Sequence, residues 1–225
     1  MSLSKEVLER LPQSAVCSSA LDLARQTLPE PIFNHSLRVF LAAQWLLDHE
    51  ADGKSDSAEH ELLFVACVCH DLGTSDRFNG PQRFEVEGAD AAVDLLRKHD
   101  ISQPDCHRVW TAIALHTSPG IAERIDSLAR IVRRAVLIDF SDEARRQAVA
   151  EGCPYDDFVA LLPRLDIEKC LANAVVGQAG SCEGLFRPNN LTLMNTQKHP
   201  AASWPGILLR AHLENPDYDG INPAF

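Results

Sequence analysis

An apolar run that ends in adjacent histidine and aspartate, Cys67–Val68–Cys69–His70–Asp71–Leu72–Gly73–Thr74, offers two metal-type donors side by side. Imidazole nitrogen and carboxylate oxygen are the usual ligands of zinc, iron or manganese. A His–Asp pair by itself is equally a buried hydrogen-bonded pair, because buried polar groups need partners. Two more residues bear on the choice. His35 lies in Pro31–Ile32–Phe33–Asn34–His35–Ser36–Leu37–Arg38–Val39–Phe40, where a helical register aligns it with Val39, Ala42 and Leu46 on one apolar stripe. Asp139 closes the apolar segment Ile131–Asp139, with Val136 and Ala135 one turn behind it, and an ionised carboxylate on such a face is costly without a cation.

The elements that must position these residues read as helices throughout. No stretch alternates with period two and β-branched enrichment, so the fold class is all-α. Short helices are expected over 4–12 and 16–28, the second stopped by Pro29 and Pro31. Pro31 suits the first turn of the His35 helix, which runs to a polar connection over 48–57. The next helix rises from Ala58 to His70 and Asp71, with Gly73 as its terminator. Asn79–Gly80–Pro81 marks a loop over 74–83, beside which substrate would enter. Helices follow over 84–98, 103–116 and 121–140, the last with Arg124, Arg130, Arg133 and Arg134 as a solvated basic face. The pattern then loosens until 158–176, interrupted near Pro163, and the chain from Pro188 reads as irregular apart from a short helix near 207–213.

Three apolar segments thus present donors in the order His, His–Asp, Asp. In that order, and in Pro29–Glu30–Pro31–Ile32–Phe33–Asn34–His35–Ser36–Leu37–Arg38–Val39–Phe40, His70–Asp71–Leu72–Gly73–Thr74 and Phe84–Glu85 ahead of Gly88, the chain resembles the HD-domain superfamily of metal-dependent enzymes. Within it, the same residues resemble the fungal cyanamide hydratase branch. The resemblance spans about residues 29–140 and implies an irregular helical bundle with a central metal. It implies His35, His70, Asp71 and Asp139 as ligands of one divalent ion, zinc first, with iron or manganese served by the same donors. The activity it implies is a hydro-lyase that hydrates a small nitrile-like substrate, cyanamide to urea, through a metal-activated hydroxide.

Asp71, Glu85 and His116 are the catalytic candidates. Glu85 is read as a proton shuttle or ligand-orienting carboxylate, or as a dipole partner in a first helical turn. His116 is read as a pocket residue or extra ligand, or as a helix C-terminal imidazole. Arg38 faces solvent or reaches Glu85, and Cys67 and Cys69 are packing thiols. The chain departs from the family pattern at Glu87, where an aromatic residue is usual, and at Thr117–Ser118, where an acidic residue is usual. No histidine precedes the Gly88–Ala89 step, so a second metal is not expected.

The alternative activity is an HD-domain phosphohydrolase acting on a nucleotide or other phosphomonoester. Thr74 and Ser75 stand where such enzymes place a cation, so its clamp would have to come from Arg77, Arg83 or the Arg124–Arg134 face. A binding protein that keeps the metal without turnover is the third reading.

Composition narrows the partners. With 225 residues and 45% hydrophobic content, the expectation is one domain over 1–225, its core at about 29–180, with N-terminal helices and an irregular C-terminal tail packed on it. A net charge of −11 argues against nucleic acid and anionic membranes and leaves a small-molecule substrate. Seven scattered cysteines read as reduced thiols, and no signal-peptide or membrane-span pattern is present, so a cytoplasmic or nuclear location is expected. The resemblance also allows a homodimer.

Overall fold

The computed structural model describes residues 3–50, 57–180, 198 and 200–225, and among them every regular element is helical. In chain order the helices are α1 (Lys5–Glu9), α2 (Ala15–Thr27), α3 (Glu30–Glu50), α4 (Ser57–Cys69), α5 (Phe84–Lys98), α6 (Gln103–Leu115), α7 (Ala122–Ile125), α8 (Ser127–Phe140), α9 (Asp142–Ala150), α10 (Tyr155–Leu161), α11 (Ile167–Gly180) and α12 (Trp204–Glu214). Two single 3-10 turns, Leu72–Thr74 and Asp76–Phe78, lie between α4 and α5.

Helix α3 is the axis. It is buried on every side from Ile32 to Ala43, because α4 and α8 pack along it and α10 and α11 close it off. A helix apolar all round belongs in a core, and α4 obeys the same rule from Leu62 to Cys69. Against that background the polar side chains inside α3, Asn34, His35, Ser36 and Arg38, each require a partner. Asn34 Nδ2 donates to the Pro163 carbonyl, and Ser36 Oγ to Ile32 one turn back.

The helix expected over 121–140 is two. Asp126 is extended at its N-cap and its carboxylate accepts from Leu128 N, so α7 ends and α8 begins there. The expected interruption near Pro163 separates α10 from α11. Helix α9 was not expected from periodicity; it is short and polar, and Ser141 caps it with Asp142 and Glu143 in its first turn. Much of the expected irregular stretch after Pro188, and most of the 48–57 connection, lie outside the described residues.

The helix carrying His70 and Asp71 was expected to include both, yet α4 ends at Cys69 and the pair sits in the turn that follows. That turn is pressed onto α5 by two glycines. A Cβ on Gly73 would lie 1.9 Å from the Phe84 carbonyl oxygen and 2.9 Å from Gly88 N. A Cβ on Gly88 would sit 3.2 Å from Gly73 N and 3.3 Å from the His70 carbonyl. Gly73→Ala forces backbone against backbone, and its urea midpoint should fall by the equivalent of at least about 2 kcal/mol. Unchanged stability would mean that α5 slides freely on the turn.

Candidate metal centre

His35 from α3, with His70 and Asp71 from the turn after α4, bring one donor atom each within 4.8 Å of one another, and all three are buried. Among the described residues no other group of three His, Cys, Asp or Glu side chains is so arranged. His35 Nε2 lies 3.1 Å from His70 Nε2, and Asp71 Oδ2 lies 3.6 Å from the first and 3.2 Å from the second.

The hydrogen bonds behind the rings decide what those atoms present. His70 Nδ1 donates to the Cys67 carbonyl at 2.6 Å, and His35 Nδ1 to Asp139 Oδ2 at 2.6 Å. Carbonyl and carboxylate oxygens only accept, so each Nδ1 holds its ring's proton and each Nε2 offers a lone pair. Two lone pairs face each other at 3.1 Å, beside a carboxylate oxygen, Asp71 Oδ2, that is buried with no hydrogen-bond partner. Such a set requires a positive charge among its donors, which is the test a divalent metal must pass. Burial opposes charge on either group, yet each favours the charged form of the other: His70, protonated where no metal is held, keeps the Asp71 carboxyl well below its usual range, and Asp71 raises the His70 imidazole.

Asp139, expected as a fourth ligand, lies outside this group. Its helix turns two faces to the site. Arg133, Val136, Leu137 and Phe140, at successive helical spacings, line the cavity above the triad, whereas Asp139 shares a face with Ala135 and Val132 toward α3. Both its oxygens are engaged. Arg38 grips them with Nε to Oδ1 and Nη2 to Oδ2, each at 2.8 Å, and the Tyr155 hydroxyl donates to Oδ1 at 2.5 Å. Arg38 Nη1 is held in turn by the Leu162 and Pro163 carbonyls. Arg38 is therefore fully buried and reaches Asp139, not solvent or Glu85. Burial would raise the Asp139 carboxyl, but the Arg38 and His35 hydrogen bonds hold it far below the ordinary range.

His116 caps α6 and lines the same cavity, its ring edge-on to His70 at 4.8 Å and its Nε2 3.8 Å from Asp71 Oδ1. Its Nδ1 donates to the Ile113 carbonyl at 2.6 Å, so here too Nε2 carries the lone pair. Burial pushes this imidazole down to about 3, with the nearby His70 adding to the effect, which keeps it neutral. Glu85 is equally buried but is not on the cavity wall. Arg83 holds its two oxygens at 2.5 and 3.2 Å, and the Thr117 hydroxyl donates to Oε1 at 2.5 Å; Thr117 is the member of this set that lines the cavity.

The cavity encloses about 350 Å³ above the triad. Its upper wall comes from α12 and the segment after it, through Trp204, Ile207 and Phe225, which sequence periodicity had no means of placing there. Phe225 packs at a tilt on Phe140 and edge-on to Trp204, both at 5.5 Å. A larger surface cleft of about 790 Å³ between α5 and α6 contains none of the triad. Cys67 and Cys69 are buried free thiols outside the donor group, and burial raises that of Cys69 to about 12. No helix among the described residues is long and apolar enough to cross a membrane.

Comparison with known proteins gives one family match and no curated relative. The family model described as HD domain matches residues 32–135, a span that contains His35, His70 and Asp71 and ends before Asp139. No curated protein matches the chain. Helical architecture, donor order and family match converge on one segment: residues 32–135 match the HD domain and bear the buried His35/His70/Asp71 cluster, a His/His/Asp set fit to bind a metal.

Proposed function

We propose that this protein is a metal-dependent enzyme that adds activated water to a small electrophile in the 350 Å³ cavity. The observation that supports it is the convergence of two imidazole lone pairs and an unpartnered buried carboxylate oxygen on the cavity floor. A divalent ion held by His35, His70 and Asp71 would lower the pKa of bound water toward neutrality and polarise the electrophile. Asp139 positions His35 by accepting its Nδ1 proton, a role for the carboxylate other than direct ligation. His116, neutral and with Nε2 free, accepts a hydrogen bond from water and orients it in the cavity. Glu85 acts indirectly, fixing the Thr117 hydroxyl on the cavity wall.

Phosphomonoester hydrolysis is the better supported of the two substrate classes, because the family match is to HD domains at large and phosphate-ester cleavage is their usual chemistry. Hydration of a nitrile is the second reading, and a specific observation favours it. Thr117 gives its one proton to Glu85, so toward a ligand it offers only a lone pair, which suits an N–H and not the oxygens of a phosphate dianion. The test is metal-loaded protein assayed on a generic phosphomonoester, on cyanamide and on dimethylcyanamide, which lacks N–H. Phosphate release alone supports the first reading. Turnover of cyanamide well above dimethylcyanamide, with Thr117→Val reducing that preference to near unity, supports the second. Metal-loaded protein inert to all three would contradict both.

A further inference from the structure

We propose that Arg133 is the anion anchor of the cavity, holding an oxyanion of the substrate across from the triad. The proposal deepens the phosphomonoester reading and rests on it for the identity of that anion. The basic residues named from sequence separate sharply in the structure. Arg130 and Arg134 both pair with Glu50, and Arg124 donates to the Gly120 carbonyl. Arg77 lies over the Phe78 ring, and Arg83 holds Glu85. Arg133 alone of the arginines and lysines lines the cavity among the described residues, and its side chain is only 14% exposed. It was expected on a solvated face; the spacing that puts it there is the one shared with Val136, Leu137 and Phe140.

Its own contacts leave donor capacity unused. Nη1 donates to the His116 carbonyl at 3.0 Å, which ties the guanidinium to the residue beside Asp71. The facing carboxylate is Glu123 on α7, whose Oε1 is ion-paired with the buried Nε at 3.4 Å, longer than an ordinary hydrogen bond. Glu123 is itself engaged by Gly120 N at 2.6 Å and is partly open to solvent, so it screens the cation without saturating it. A guanidinium with five donors, one of them committed to a carbonyl, is suited to grip two oxygens of a phosphate. Charge points the same way. A divalent ion beside Asp71 leaves one net positive charge, because Asp139 is already answered by Arg38. Arg133 has its own counter-charge in Glu123, so what it adds beside that positive centre is directed N–H donors, not a further net charge.

The experiment is a calorimetric titration of inorganic phosphate into metal-loaded wild type, Arg133→Met and Arg133→Lys, with metal content measured on each. Arg133→Met should weaken phosphate at least about tenfold, and Arg133→Lys less, with metal content unchanged. For a phosphomonoester substrate the same loss should fall on KM more than on kcat. Wild type that binds no phosphate, or Arg133→Met that binds it as tightly as wild type, overturns the anchor. Arg133-dependent phosphate binding without any ester hydrolysis leaves the anchor standing and removes the hydrolase reading. Should the methionine variant fold poorly, the lysine variant decides, since it keeps charge and length while losing the two-pronged grip.

Discussion

Replacing His70 with alanine is expected to strip the protein of its metal and of all metal-dependent turnover while leaving the helical content intact. His70 supplies one of the two imidazole lone pairs of the triad, and its ring is fixed by the Cys67 carbonyl. Losing a partner behind a ligand commonly costs roughly 10- to 100-fold in metal affinity, and losing the ligand itself should exceed that. Elemental analysis after dialysis, with circular dichroism as the fold control, reads the result. With no cation among them the donors crowd one another, Nε2 at 3.1 Å from Nε2 beside Asp71, so removal of one ring should not unfold the metal-free protein. A His70→Ala protein that keeps stoichiometric metal would rule out the triad as described.

The second large effect is on stability. Arg38→Met leaves the Asp139 carboxylate buried without its two-pronged partner, and breaking a buried pair from one side typically costs about 3–5 kcal/mol. The double variant Arg38→Met/Asp139→Asn should recover part of that loss, because it removes the stranded charge as well. The pH dependence follows from the depressed folded-state pKa of Asp139. A carboxyl lowered on folding contributes stability that is fully present above its unfolded value of about 3.9 and is lost as pH falls through the folded value. Without Arg38 the folded value rises, so acid unfolding should begin at higher pH than in wild type. Urea titrations at neutral and acid pH measure both; a single variant as stable as wild type would mean that Tyr155, His35 and Arg164, whose Nη1 lies 3.3 Å from Oδ1, suffice to hold the carboxylate.

The triad was legible because histidine on an apolar helix stripe, and a His–Asp pair ending an apolar run, are costly unless they have a purpose. Those costs are local and can be read from spacing. The role of Arg38 was also within reach: it lies three residues after His35, inside the same apolar run, and so shares a face with it. What concealed it is that its partner is 101 residues away. Asp139 shows the limit from the other side. Its burial was inferred correctly, but periodicity cannot say which neighbour a buried face meets, and the face bearing Asp139 meets α3 while the face bearing Arg133 and Phe140 meets the cavity. Trp204 and Phe225 carried no local signal, because their place depends on how α12 packs on α11 and closes the cavity, a matter of tertiary packing.

The account stands on an ion held by two imidazoles and a carboxylate, and X-ray absorption at the edge of the metal retained by purified, reloaded protein tests that most directly. The expected result is one ion per chain, with scattering from two imidazole rings and the remaining shell made of oxygen. A third imidazole would add His116 to the ligands and leave the triad in place. Sulfur in the shell, which would bring in Cys67 or Cys69, or a wild-type protein that retains no stoichiometric ion, would contradict it.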